Sequence, residues 1–289
     1  MKLTHLILLS FLFLARGFGE EIPLLTSLDS KVNESSGLLL LDDQLITHND
    51  SDEANELYEI DANNGNVLRT VVVTNVENND WEDLAEDDEF LYIGDFGNNL
   101  GSRKDLKVYK IAKEVYKNSE NDSIQAEIIN FSYANQEEYL PARFNSNFDA
   151  EALISYQDKL YIFTKNWENK KTDVYELSKT PGTYKLEKID TIETEGLITG
   201  ATYDELNDRI LLCGNSMPTP FIIELKEFSR GKFSNGEMKK YNLQPQLGAS
   251  IQIEGITMIN KNECYLSAEK SITGTSALYK YTFDKNLDQ

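Results

Sequence analysis

The sequence predicts an all-β protein, a β-propeller of about five four-stranded blades whose ring is closed by an N-terminal strand. Two observations carry this prediction. A unit made of a short apolar segment, a polar turn and further strand-like segments recurs five times along the 289 residues. One apolar segment also precedes the first unit, while the last unit is one strand short. Repeats of this length are typical of propeller blades.

The first strands of the units are the clearest part of the repeat. They read SSGLLLL at Ser35, WEDLAED at Trp81, AEALISY at Ala150, ITGATYD at Ile198 and IEGITMI at Ile253. If Ser36, Glu82, Glu151, Thr199 and Glu254 are equivalent, the units are spaced by 46, 69, 48 and 55 residues. The polar insert KEVYKNSENDSIQ accounts for the long second unit. A β-sandwich, the alternative, would not explain why apolar segments recur with the same carboxylate at their start.

The second and third strands complete the pattern. Second strands read LITHND, LYIGDFG, LYIFTKN, ILLCGNS and CYLSAEK, and third strands read ELYEID, LKVYKI, DVYELS, FIIELK and ALYKYTF. The third strands alternate with the period of two that marks a strand. Only 35 residues follow Glu254, enough for three strands, so we expect IPLLTSLD, from Ile22, to supply the fourth. This pairing would leave no long sheet edge open.

The first residues have the features of a secretory signal. Lys2 precedes the apolar run from Leu6 to Ala15, and the small residues Gly17 and Gly19 follow it. The run is too short to span a bilayer, so we expect residues 1–19 to be removed on export. The remaining residues, 20–289, should form one propeller domain without a transmembrane segment. We expect a monomer that is secreted or lies in a periplasmic or extracellular compartment.

The charge of the chain narrows the range of partners. The formal net charge of −21 and the pI near 4.5 argue against a nucleic-acid partner, which requires clustered Lys and Arg. Such acidity suits a soluble exported protein, or one that concentrates cations. Cys213 and Cys264 are the only thiols. In an exported chain they could be bridged, although their strand positions do not match.

The propeller geometry sorts the acidic residues onto one face. The loops that enter the first strands and the loops that join second to third strands lie at the same end of the channel, which we call the loop face. Glu82, Glu151 and Glu254 would stand there around the channel mouth. Two carboxylates about 6 Å apart repel by roughly 3 kcal/mol at an effective dielectric near 20. A cation or a trapped proton must therefore compensate them.

The type of ligand atom indicates which cation would bind. Oxygen ligands dominate because the chain has only two His, so a calcium-like ion suits the site better than zinc. The sequence therefore predicts Ca²⁺ bound by Glu82, Glu151 and Glu254. The alternative is that each Glu only accepts hydrogen bonds from backbone amides of a neighbouring blade.

Other residues on the loop face are candidates for ligand binding or catalysis. Arg103 and Lys165 could bind an anionic group of a ligand. His48 could act as a general base, with Glu82 as a second catalytic candidate. The full set of candidate ligand-binding residues comprises Asn49, Asp95, Asn98, Asn99, Arg103, Lys165, Asn215 and Glu269.

Several of these motifs resemble a known family. The segments NDWEDLA, LYIGDFGNN with a following Arg, FDAEAL and YIFTK resemble a family of secreted bacterial propellers, over most of the chain after residue 19. They are also similar to propellers grouped as phytase-like with esterase-like activity. The resemblance implies a propeller with a cation at the channel mouth, held here by Glu82, Glu151 and Glu254. It leaves the activity open, because one fold hosts many functions.

Three functions fit these observations. The first is an exported propeller that binds a calcium-like ion at the acidic channel mouth and a small polar or anionic ligand on the same face. The second is a metal-dependent hydrolase of the esterase, lactonase or phosphatase type, in which the cation polarises an oxygen and a side chain activates water. The third is a non-catalytic scaffold for protein interactions.

Overall fold

The computed structural model describes residues 22–51, 53–217, 219–247, 251–269 and 274–283. Within them, short apolar segments with a period of two form antiparallel sheets joined by tight turns. Five sheets stand around a central channel, so the predicted five-bladed propeller is confirmed. The predicted signal, residues 1–19, lies outside the described residues. No helix in the described ranges is long and apolar enough to cross a membrane.

The first two blades are joined by an insertion. Blade 1 contains β2 (Ser35–Leu41), β3 (Gln44–Asn49), β4 (Glu56–Ile60) and β5 (Val67–Val73). Blade 2 contains β6 (Trp81–Glu86), β7 (Phe90–Asp95), β8 (Lys107–Ala112) and β10 (Glu127–Tyr133). The insert between β8 and β10 forms α1 (Lys113–Lys117) and β9 (Ser123–Ile124), and β9 pairs in parallel with β5. The insertion therefore covers the outer edge of blade 1.

Blades 3 and 4 are regular. Blade 3 contains β11 (Ala150–Tyr156), β12 (Lys159–Thr164), β13 (Thr172–Ser178) and β15 (Lys188–Ile192). Its additional strand β14 (Gly182–Leu186) pairs in parallel with β10 and covers the edge of blade 2. Blade 4 contains β16 (Leu197–Asp204), β17 (Arg209–Ser216), β18 (Thr219–Lys226) and β19 (Glu237–Asn242). Short helices are α2 (Gln244–Leu247) and the 3₁₀ turns Ser30–Val32 and Phe233–Asn235.

Blade 5 closes the ring. It contains β20 (Ile253–Asn260), β21 (Glu263–Ala268), β22 (Ala277–Thr282) and, as its outer strand, β1 (Leu24–Ser27). Strand β1 pairs antiparallel with β22, opposing Ser27 to Ala277. The N-terminal segment thus supplies the strand that the last unit lacks, as the sequence predicted.

The hydrophobic core is a ring of five clusters, each lying between two consecutive blades. Trp81, for example, is fully buried between blades 1 and 2, where it packs beside Leu39 and Tyr109. Because every blade buries both of its faces, its central strands are apolar on both sides. Cys213 and Cys264 share the cluster between blades 4 and 5 as free, buried thiols, so they do not form a disulfide.

Candidate functional site

Each first strand carries a β-bulge at the channel mouth. The pairing register shifts between Trp81 and Asp83, between Ala150 and Ala152, and between Ile253 and Gly255, leaving Glu82, Glu151 and Glu254 as the extra residues. Equivalent shifts occur next to Ser36 and Thr199. A bulge redirects the side chain of its extra residue. The equivalent residue of every blade therefore points its side chain toward the channel. The equivalence predicted from sequence spacing is thus visible in the strand register.

Five carboxylates gather at this mouth in two overlapping groups. Oxygens of Glu82, Asp149 and Glu151 lie within 4.8 Å of one another, and so do oxygens of Asp50, Asp80 and Glu82. The first group is fully enclosed, since Glu82 and Glu151 are each 2% exposed and Asp149 is 0% exposed. Either group could hold a metal ion. Glu82 belongs to both groups and lies at the centre of the site.

The loops of blades 2 and 3 hold Asp149 in a fixed orientation. Its Oδ1 accepts a hydrogen bond from the backbone N–H of Asn98 at 2.6 Å, and its Oδ2 accepts one from the indole of Trp167 at 2.8 Å. The Asn98 side chain also donates to the carbonyl of Phe148 at 3.0 Å. The GDFGNN segment of blade 2 therefore reaches across the blade boundary and positions a carboxylate of blade 3.

Glu82 differs from Asp149 in its contacts. Across the residues that the structure describes, no donor forms a hydrogen bond to the Glu82 carboxylate, although the side chain is buried. A buried carboxylate without a donor or counter-charge is costly. Burial and the neighbouring Glu151 raise the pKa of Glu82 well above its usual range. The site therefore demands either a proton or a cation at Glu82.

A glycine makes room for this arrangement. A Cβ atom at Gly97 would lie 2.0 Å from Glu82 Oε1 and 2.4 Å from the Cγ of Asp80. The backbone of the GDFGNN loop thus passes directly beside both carboxylates, which requires glycine. Arg103 holds the loop in place by donating to the carbonyl of Gly97 at 2.8 Å and to Asp95 at 2.8 Å.

One lysine enters the acidic group. Lys165 follows β12, and its Nζ lies 2.9 Å from Glu151 Oε1. Its backbone N–H donates to the carbonyl of Asp149 at 2.6 Å. Although burial opposes its charge, the surrounding carboxylates, Glu151 first among them, raise the pKa of Lys165 well above its usual range. The ammonium is therefore charged and supplies part of the positive compensation that the sequence analysis required.

Protons supply further compensation. Burial raises the pKa of Asp80 to about 8 and that of Asp50 to about 6, with like-charged neighbours adding to the effect at Asp80. Burial also raises the pKa of Glu254 to about 8, against the opposing effect of Lys165. Glu254 is in neither group of carboxylates that could share one ion. Its role as a third metal ligand stays a prediction.

The other candidate residues divide into structural and accessible ones. Asp95 is buried and accepts hydrogen bonds from Arg103 and from Tyr109, so it braces the loop that carries Gly97. Asn49 donates to the carbonyl of Lys31. Asn215 donates to the carbonyl of Ile253, while its Oδ1 is buried without a partner among the described residues. Asn99 and Glu269 remain partly exposed.

His48 lies in the interior. It is the fifth residue of β3, is 0% exposed and packs edge-on against Trp81 with ring centroids 5.6 Å apart. Its Nδ1 contacts the carbonyl of Asn49 at 2.9 Å, and burial lowers its pKa to about 4. A neutral ring behind Trp81 is not presented to a ligand at the channel mouth. Its catalytic role stays a prediction that this placement does not support.

Sequence reasoning named Glu82 and Glu151 but not Asp50, Asp80 and Asp149 as potential ligands. A signal for two of these was present: Asp80-Trp81-Glu82 and Asp149-Ala150-Glu151 share a spacing of two. Each Asp directly precedes a first strand and each Glu is that strand's bulge residue, so the repeat brings both members of each pair to the channel mouth. Blade 5 has Gln252 in the corresponding place, which matches the separate position of Glu254.

Asp83, next to Glu82, was also missed. It is 0% exposed, and its Oδ2 accepts the backbone N–H groups of Leu153 at 2.8 Å and Ala201 at 3.0 Å. Its Oδ1 accepts the N–H of Leu84 at 2.9 Å. Leu84, Leu153 and Ala201 also line a cavity of about 420 Å³ between the first strands on the side away from the loop face. Asp83 thus links three blades across the channel.

Comparison with known proteins supports the fold alone. No family model and no curated protein matches the sequence significantly. Among solved structures, a hypothetical protein from Leishmania major is similar over 91% of each chain, with 10% identity and a TM-score of 0.50. The computationally designed Ika8 protein covers 89% of this chain and 99% of its own, with 9% identity and a TM-score of 0.35. The resemblance to secreted phytase-like propellers stays a prediction.

Proposed function

We propose that this protein is an exported propeller that binds one calcium-like cation at its acidic channel mouth and a small polar or anionic ligand on the loop face. The observation that carries the proposal is Glu82, a buried carboxylate that two groups of carboxylates share and that no described donor satisfies. A cation between Glu82, Asp149 and Glu151 would remove this deficit. A bound Ca²⁺ takes oxygens at about 2.4 Å, so oxygens within 4.8 Å of one another can surround it.

Calcium fits these donors better than zinc or magnesium. The group offers only carboxylate oxygens, whereas zinc prefers nitrogen and sulfur ligands. Magnesium retains most of its water and binds through one or two carboxylates, while calcium accepts several carboxylates in irregular geometry. The three enclosed carboxylates, which come from two blades, match the ligands that calcium accepts.

The ligand would bind where the cation leaves coordination positions open. Three carboxylates do not fill the six to eight positions of Ca²⁺, so oxygens of a ligand can complete them. Arg103, 4.0 Å from Asp80, and Lys165, which pairs with Glu151, place positive charge at the mouth and favour an anionic ligand. The partly exposed Asn99 and Glu269 offer polar contacts. We favour binding over hydrolysis because His48, the candidate base, is buried behind Trp81.

Calcium titration tests the cation site. In chelator-treated protein we expect saturable binding by calorimetry, and at least a tenfold weaker Kd in Glu82→Gln, because the central ligand loses its charge. Glu89→Gln, an exposed position of the β6–β7 turn in the same blade, is the matched control and should bind like the unmodified protein. If the unmodified protein shows neither binding heat nor a calcium-dependent rise in Tm, the cation proposal is wrong.

Gly97→Ala tests the geometry of the same site. The new methyl group would occupy the space of the Glu82 and Asp80 carboxylates, so we expect calcium affinity to fall at least tenfold. Stability should also fall, by about 1–3 kcal/mol, because the methyl group is forced into closely packed space beside the two carboxylates. Gly182→Ala is the control, since its Cβ would meet only the Tyr184 side chain at 3.3 Å. Unchanged calcium affinity in Gly97→Ala would contradict the assigned ligands.

A further inference from the structure

Lys165 is placed inside the cation site rather than beside it. Its Nζ bonds Glu151 Oε1 at 2.9 Å, and Glu151 is one of the three carboxylates that could share an ion. Among the described residues, it is the one basic side chain that forms an ion pair with the group of Glu82, Asp149 and Glu151. The hairpin of β11 and β12 fixes Lys165 there. Ala150 pairs with Thr164, so Lys165, the residue after Thr164, lies close to the residues on either side of Ala150.

The surroundings keep this ammonium in place. Its Nζ lies 5.1 Å from the centroid of the Trp167 ring, and the same indole donates to Asp149. Lys165, Trp167, Asp149 and Glu151 therefore form one connected unit. An ammonium with three donors can satisfy a carboxylate much as a hydrated monovalent ion does, although it carries half the charge of a divalent cation.

The ammonium and a divalent ion would compete for the same oxygen. A lone pair of Glu151 that accepts from Nζ is not free to coordinate a metal, and two cations a few ångströms apart repel. We propose that Lys165 is a tethered counter-ion that occupies the Glu151 side of the cation site and has to be displaced by an incoming divalent ion. This inference rests on the proposed cation site. It means that Lys165 sets the affinity of that site for a divalent ion.

The experiment is a calcium titration of Lys165→Gln beside the unmodified protein, with the Tm of both measured in chelator and in calcium. We expect Kd to fall at least tenfold in Lys165→Gln. In chelator its Tm should fall, because the carboxylates lose their counter-charge, and calcium should raise its Tm more than that of the unmodified protein. Lys170→Gln is the matched control. Lys170 is exposed, lies 5.4 Å from the centroid of the same indole and forms no ion pair with a described residue.

The outcomes separate this inference from the proposed function. Calcium binding by Lys165→Gln alone would support the tethered counter-ion and would end the proposal of a cation site in the unmodified protein. Equal or weaker binding in Lys165→Gln than in Lys170→Gln would overturn the counter-ion while leaving the cation site intact. Binding by neither would overturn both. If Lys165→Gln folds poorly, Lys165→Arg, which keeps the charge, should retain the Kd of the unmodified protein, and a tenfold tighter Kd there would overturn the inference.

Discussion

Asp83→Ala is expected to lower the free energy of unfolding by about 3–5 kcal/mol, the largest effect of any single substitution considered for this protein. The carboxylate accepts three backbone N–H groups, from Leu84, Leu153 and Ala201, and is fully buried. Removing it leaves these donors without an acceptor, at a cost of about 1–3 kcal/mol for each buried donor. Urea unfolding followed by circular dichroism measures the loss.

Steric effects should not contribute to this loss. The other blades carry Gly37, Ala152, Gly200 and Gly255 at the position of Asp83, so alanine fits the space. Asp83→Asn should cost less, because one oxygen still accepts, and Asp88→Ala, an exposed change in the following turn, should cost less than about 0.5 kcal/mol. A loss below about 1 kcal/mol in Asp83→Ala would show that the carboxylate does not hold the three blades together.

Lowering the pH from 8 to 5 in the presence of a chelator is expected to stabilise the protein by about 2 kcal/mol or more. Burial raises the pKa of Asp80 and Glu254 to about 8 and that of Asp50 to about 6, whereas in the unfolded chain these groups titrate near 4. Between those values the native state binds more protons than the unfolded state. Stability from these groups is therefore complete near pH 4 and is lost as the pH rises toward 8. The buried His48, with its pKa lowered to about 4, acts in the opposite direction below about pH 6.5, so the net gain should arise mainly between pH 8 and 6.

The dependence of stability on pH should be steeper in chelator than in calcium. Each group with a raised pKa contributes up to about 1.4 kcal/mol per pH unit, and we expect less because the groups interact. A bound cation favours the ionised carboxylates, so calcium should flatten the dependence above pH 6. Asp80→Asn should remove part of the slope in chelator. Urea midpoints measured at pH 5, 6, 7 and 8 test this, and stability that is constant or rises toward pH 8 in chelator would contradict the protonated cluster.

The fold could be predicted from the sequence because the strand pattern of one blade recurs in every other blade. Five first strands with one channel position each fixed the number of blades, and the unpaired segment at Ile22 indicated how the ring closes. The same repeat placed Glu82 and Glu151 at the channel mouth. These are consequences of chain periodicity, which a single sequence displays.

The rest of the site depends on contacts between blades, which periodicity does not encode. Lys165 seemed available for a ligand, but the pairing of β11 with β12 brings it to Glu151. His48 was a candidate base on the loop face, yet β3 extends to Asn49 and buries the ring against Trp81. Asp83 looked like one more acidic residue of a strand, but two of the backbone N–H groups that donate to its carboxylate come from blades 3 and 4. In each case the role of the residue depends on which neighbouring strand or blade its side chain contacts, and the sequence alone does not show this.

The pairing of β1 with β22 gives the chain an unusual order of assembly. The two strands lie about 250 residues apart in sequence, so the ring stays open until synthesis has passed residue 282. Contacts of such separation form late and slowly. Between the synthesis of β22 and the docking of β1, the open edge of β22 can pair with other chains. A newly made molecule is thus most prone to aggregate just before its last four-residue strand docks.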